Sequence, residues 1–183
     1  MTVQTPPANP DPRLLLSIYL RDHLAGAMAG VHLARRCQRA NRGTELGSEL
    51  AEIEREIIED RHSLTDMMAR LGVPESRVKN LLGLEVEAVG RLKGNGRVLG
   101  YSPSSRVVEL ETLAAGVFTK RSLWLSLRAV VDDYRALDRD ELDRLVTRAT
   151  QQYQRLIVEH DRAATTAFGS LFPVLQFLDE LPV

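Results

Sequence analysis

The sequence predicts an all-α fold: an antiparallel bundle of four long helices with a long crossover that contains an extra helix. Apolar residues recur at helical spacing from Pro12 to Phe168, and no stretch alternates apolar and polar residues between hairpin turns. The connections come in two lengths, short turns within each helix pair and one long segment between the pairs.

The first helix is expected over 12–40. It stops at Asn41-Arg42-Gly43, a C-cap composition, and Thr44 is placed to N-cap the next helix. That second helix is expected over 45–71, ending at Gly72. A turn this short can only make its two helices antiparallel neighbours. The second hairpin opens at Ser102-Pro103, an N-cap followed by proline at the first helical position, and its first helix is expected over 103–134. Asp138 and Glu141 have capping-box spacing and start the last helix, 139–168, which ends at Gly169. Between the hairpins lies Val73 to Tyr101, with a shorter helix expected over 74–93, opened by Pro74 and closed by Gly94-Asn95-Gly96.

The ends differ in character. Residues 1–11 are polar and Pro-rich, with no basic region before an apolar run, and are expected to be a disordered tail rather than a targeting peptide. Residues 169–183 hold Leu171, Phe172, Val174, Leu175, Phe177, Leu178 and Leu181, too many apolar side chains to leave in water. This tail is expected to dock on its own bundle or on a second subunit. A homodimer is the preferred expectation, because the first helix is apolar over more of its surface than one core can cover.

Charge announces no partner. The 183 residues contain 24 Lys plus Arg against 25 Asp plus Glu, a net charge of −1, so no nucleic-acid footprint is expected. Arg35, Arg36, Arg39 and Arg42 cluster where the first helix ends, where cations complement its dipole. No membrane span is expected, since Leu14 to Leu20 is broken by Ser17 and followed by Arg21 and Asp22. The single cysteine, Cys37, permits no internal disulfide and reads as a packing residue, which fits a reducing, cytoplasmic setting.

Two long-helix hairpins joined by a bundle-length connection make the chain similar, over 12–168, to the ferritin-like superfamily. The resemblance implies a two-metal centre built from a carboxylate on each of two helices and an inward Glu-x-x-His on each of the other two. The nominal match, Glu59-Asp60-Arg61-His62, is out of phase. Leu46, Leu50, Ile53, Ile57, Leu64, Met68 and Leu71 define the second helix's apolar stripe, and at about 100° per residue Glu59 and His62 fall on its far side. Asp60 falls on the stripe, with Ile57 as its i−3 neighbour.

The other helices repeat the pattern of isolated inward polar groups. On the last helix His160 lies near the centre of Leu142, Leu145, Val146, Ala149, Tyr153, Leu156, Ile157, Ala164 and Phe168. On the first, His23 lies on the inward face with Leu16, Tyr19, Leu20, Ala27 and Gly30, opposite Ser17, Arg21, His32, Arg35 and Arg39. Lys120 sits inside the third stripe, Glu109 at its edge, and Glu85 among the apolar residues of the crossover helix.

His23, Asp60, Glu85, Glu109, Lys120 and His160 are therefore expected to form a buried polar layer, because ionised groups cannot stay in a core unpaired. A salt-bridge layer that fixes helix register is preferred over a metal or substrate site, since an inward lysine repels a cation. No phosphate-binding loop or zinc cluster is present in the sequence. The expected function is a non-catalytic binding or structural module. The alternative is an iron- or manganese-dependent oxidoreductase or iron-handling protein with His23, Asp60, Glu109 and His160 as ligands. A third reading, an apolar small-molecule binder using a cavity between the bundle and the crossover, needs a pocket that sequence cannot show.

Overall fold

A computed structural model describes residues 10–75 and 102–169. The expected N-terminal tail, the crossover helix with Glu85, and the apolar C-terminal tail lie outside the described residues. Among those described, regular structure is entirely helical: α1 (Pro12–Ala40), α2 (Glu45–Arg70), α3 (Pro103–Ala129), a 3₁₀ turn (Val131–Asp133) and α4 (Arg139–Phe168).

Local chemistry sets the ends. The Asp11 carboxylate accepts from the Arg13 N–H at 2.9 Å, with Pro12 in the first turn of α1. The α1–α2 turn depends on two glycines: Gly43 takes a φ of 82°, and a Cβ on Gly47 would lie 2.1 Å from the Asn41 carbonyl oxygen. Thr44 caps α2 through the Gly47 N–H at 3.1 Å, Ser102 caps α3 through the Ser105 N–H at 3.1 Å, and Asp138 caps α4 through the Glu141 N–H at 2.7 Å.

Two helices end earlier than the periodicity suggests. α2 stops at Arg70, with Leu71 as its C-cap. α3 stops at Ala129 rather than 134, because the chain tightens into i→i+3 bonds, Asp133 N–H to Val130 C=O at 3.1 Å and Tyr134 N–H to Val131 C=O at 3.3 Å. The tightening turns Val131 into the core, where it joins Leu137.

The core has two parts. One gathers Leu20, Leu24, Leu64, Met67, Met68, Leu123, Trp124, Leu127, Leu142 and Leu145. The other gathers Val31, Ala34, Leu50, Ile53, Ile57, Leu110, Leu113, Val117 and Leu156. Each fully buried large aliphatic side chain contributes roughly 1.5–3 kcal/mol relative to exposure. On α1 the buried seam is Leu20, Leu24, Ala25, Val31, Leu33, Ala34 and Cys37. The face expected to be most inward, Tyr19, His23, Ala27 and Gly30, is only half-buried. On α4 the seam runs Leu142, Leu145, Ala149, Gln152, Leu156 and Ala163, and Tyr153, Ile157 and His160 lie beside it.

Polar pairs mark which parts of the helices meet. α1 and α2 meet at Arg35–Glu54 (2.9 Å). α1 and α3 meet at Tyr19–Ser126 (3.2 Å) and Arg36–Glu109. α2 and α4 meet at Arg70–Glu141 (2.6 Å), Glu59–Arg148 (3.1 Å) and Glu49–Arg155 (3.3 Å). Among the described residues no helix is long and apolar enough to cross a membrane.

Candidate functional site

Between the two apolar clusters, three helices each substitute a polar side chain for a core one. Asp60 lies between Ile57 and Leu64 on α2, Lys120 between Val117 and Leu123 on α3, and Gln152 between Ala149 and Leu156 on α4. At the matching level the cavity-facing residues of α1 are small, Gly26, Ala27 and Gly30, while Met28 packs against the Leu20–Leu24 cluster.

The three polar groups join. Asp60 Oδ1 accepts from Arg148 Nε at 2.8 Å and from Arg148 Nη2, while Oδ2 accepts from Lys120 Nζ and from Gln152 Nε2 at 3.2 Å. Lys120 also donates to Gln152 Oε1, which fixes the amide as donor to one neighbour and acceptor from the other. A carboxylate has about four lone-pair sites, and here each is taken. Arg148 further reaches Glu59, so two cations face two carboxylates and the layer is neutral. Burial holds the Lys120 ammonium below the ordinary lysine range, with Asp60 pulling the other way. This arrangement meets the main condition for keeping charge in a core, close pairing with every lone pair of the buried carboxylate engaged.

A cavity of about 450 Å³ lies against this layer, walled by α1, α2 and α3. The absence of side chains opens it: a Cβ built on Gly26, Gly30 or Gly116 would meet nothing within 4 Å. Its wall is mostly apolar, with Ile57, Leu64, Leu113, Val117 and Leu123, and its polar members include His23, Asp60, Arg61, Lys120 and Trp124. Tyr19 stacks edge-on to His23 at 4.5 Å between ring centroids. Burial holds His23 below the ordinary imidazole range against the pull of Asp22, so it stays neutral near pH 7. Two of the residues that border it, Trp124 and Arg61, each have a buried nitrogen with no hydrogen-bond partner, Nε1 and Nε.

The remaining sequence candidates lie elsewhere. Glu109 is buried beside Cys37 and pairs with Arg36, and burial together with the Glu109 carboxylate pushes the Cys37 thiol up to about 12. His160 is not in the seam but at its edge, pairing with Asp161 (3.1 Å) and Glu111 (3.2 Å), because α4 buries the face carrying Gln152 and Leu156 instead. The hydrogen bond to Asp161 raises its pKa, burial opposes the rise, and Glu111 adds to it. Glu59 and His62 lie outside the core, Glu59 on Arg55 and Arg148 and His62 exposed against Arg61. Of the six residues expected in one layer, Asp60 and Lys120 come together, His23 borders the cavity beside them, and Glu109 and His160 are apart from it. Glu85 lies outside the described residues.

Among the described residues, no three His, Cys, Asp or Glu side chains gather closely enough to hold a metal ion. The set His23, Asp60, Glu109 and His160 is thus not assembled, and Asp60 has no lone pair left to offer. Sequence reasoning missed Gln152 and Arg148. Gln152 follows the alternating three- and four-residue spacing of Leu142, Leu145, Ala149 and Leu156, the signal that could have found it. Arg148 reaches in from a half-exposed position on its long stem. Comparison with protein-family profiles, with curated proteins and with solved structures finds no match.

Proposed function

We propose that this chain is a ferritin-like antiparallel bundle that works as a non-catalytic binding module, taking a small, largely apolar molecule into the cavity between α1, α2 and α3. The pairing of helices supports the architecture. Residue numbers rise along α1 as they fall along α3, from Tyr19–Ser126 to Arg36–Glu109, and α2 and α4 do the same from Glu49–Arg155 to Arg70–Glu141. α2 and α3 therefore run the same way, as a bundle-length crossover between them requires.

The observation that carries the binding reading is the cavity itself. It is about 450 Å³, within the roughly 300–1,000 Å³ typical of small-molecule sites, and is lined by apolar groups with a few convergent polar ones. It exists because three glycines stand where larger residues would close the core. The reading with iron or manganese is set aside because the central carboxylate is fully engaged by Lys120, Arg148 and Gln152. A homodimer belongs to the same proposal: Leu14, Leu15 and Ile18 are each about half exposed near the start of α1, a patch that a second subunit would cover.

Titration with the neutral fluorescent probe N-phenyl-1-naphthylamine tests the binding reading. Saturable binding of one probe per chain, weakened at least tenfold by Gly30→Leu, is expected. No binding to the wild-type chain, or binding that Gly30→Leu leaves unchanged, would refute it.

A further inference from the structure

The charged groups that border the cavity cancel. Asp22 and Asp60 stand against Arg61 and Lys120, so no net charge selects an ionic ligand. Most of the hydrogen-bonding groups are also engaged. Asp60 and Lys120 hold each other and Gln152, and Asp60 holds Arg148 as well. The Thr112 and Thr119 hydroxyls donate to carbonyl oxygens one turn back, at 2.8 and 2.9 Å, and the Tyr19 hydroxyl donates to Ser126. Trp124 Nε1 and Arg61 Nε lack partners but are shut away from open space, so no ligand atom reaches them. Asp22 is exposed to water. His23 differs from all of these. It is half-buried, burial keeps its imidazole neutral near pH 7, and its ring packs edge-on to Tyr19 without a hydrogen bond to any described residue. A neutral imidazole has one N–H donor and one acceptor nitrogen.

We infer that the cavity's ligand is a neutral hydrophobic alcohol or phenol, its apolar body in the cavity and its hydroxyl hydrogen-bonded to the His23 imidazole. This rests on the binding-module reading and adds the chemistry of the occupant. His23 precedes Gly26 by three residues and Gly30 by seven, so helical spacing puts the imidazole on the α1 face where those glycines leave open space. A body lying over Gly26, Gly30 and Gly116 meets Ile57, Leu113, Val117 and Leu123 while its head stays at His23. A hydroxyl both donates and accepts, so it matches the imidazole in either tautomer, whereas an ether only accepts. A carboxylate or an ammonium would enter an apolar wall whose charges are already balanced, and its lost hydration would go uncompensated.

Displacement of bound N-phenyl-1-naphthylamine tests the head group. The competitors 1-decanol, 1-methoxynonane, decanoate and decylammonium are unbranched chains of similar length that differ in their polar group. The expected result is displacement by 1-decanol at an affinity about fivefold or more tighter than 1-methoxynonane, the size of one net hydrogen bond, and tighter than either ion. His23→Phe, which removes both ring nitrogens, should abolish the preference for the alcohol. Equal affinities for 1-decanol and 1-methoxynonane overturn the hydroxyl assignment, while the probe's own binding leaves the module in place. Tighter binding of either ion, or a preference that survives His23→Phe, overturns it too. If the probe itself fails to bind the wild-type chain, both readings fall.

Discussion

Replacing Asp60 with alanine tests whether the mid-bundle layer is a closed structural unit. The substitution removes a carboxylate that is 1% exposed and accepts from Lys120, Arg148 and Gln152. Arg148 has a retreat, since its side chain is 30% exposed and keeps Glu59. Lys120, 14% exposed, keeps the Gln152 carbonyl oxygen and the weaker pull of the Glu56 carboxylate. Removing one partner of a buried pair costs about 3–5 kcal/mol, and Arg148's retreat argues for the lower end, near 3 kcal/mol. In a domain of this size that lowers the melting temperature by roughly 6–12 °C. Removing both charges with Asp60→Leu and Lys120→Met together should recover most of the loss, because a well-packed apolar replacement strands no charge. Urea unfolding with linear extrapolation measures both. A loss below about 1 kcal/mol for the single variant, or a double variant no better than the single one, would refute the reasoning.

Other consequences follow from the same structure. Burial lowers the His23 pKa, so the unfolded chain binds that proton more readily, and His23 costs stability as pH falls below about 6.5. Asp161 and Glu111 raise that of His160, whose contribution is full below about 6.5 and lost as pH rises through the raised value. Urea midpoints at pH 5 and pH 8 should show His23→Gln removing part of the acid loss and His160→Gln enlarging it; the reverse pattern contradicts both placements. Cys37, with its thiol raised to about 12, should react with Ellman's reagent at pH 8 only as fast as the bundle opens, and full labelling of native protein within seconds would contradict its burial. Gly30→Ala and Gly116→Ala should each stabilise by about 0.5–1 kcal/mol in thermal melts, since a helical alanine replaces glycine where its Cβ meets nothing; destabilisation would mean the space is not open.

The parts of this architecture legible in the sequence are those written by local rules. Caps at Thr44, Ser102 and Asp138 need only their own turn, and the inward placement of Asp60 and Lys120 follows from the apolar residues three and four positions away. Rotation of whole helices was harder. α1 is apolar on most sides, so its periodicity does not choose between the Leu20–Leu24–Val31 seam and the adjacent Tyr19–His23–Ala27–Gly30 face. The difference decides whether His23 is a core group or a cavity wall. On α4, counting Gln152 as polar shifted the inferred seam toward Tyr153 and His160, although its amide is buried on Asp60 and Lys120. The cavity itself was out of reach, because a glycine in a helix does not say whether a neighbouring helix fills the space beside it.

The most direct test of the binding account uses the single indole N–H of the chain as an NMR reporter. Trp124 Nε1 is buried and has no hydrogen-bond partner, so its ¹H–¹⁵N resonance should lie in the range of an indole that makes no hydrogen bond. Titration with N-phenyl-1-naphthylamine should move this resonance saturably, together with the backbone amides of Gly30 and Gly116 beside the cavity. An indole resonance that stays fixed while amides elsewhere on the bundle shift would place the ligand outside the cavity and contradict the account.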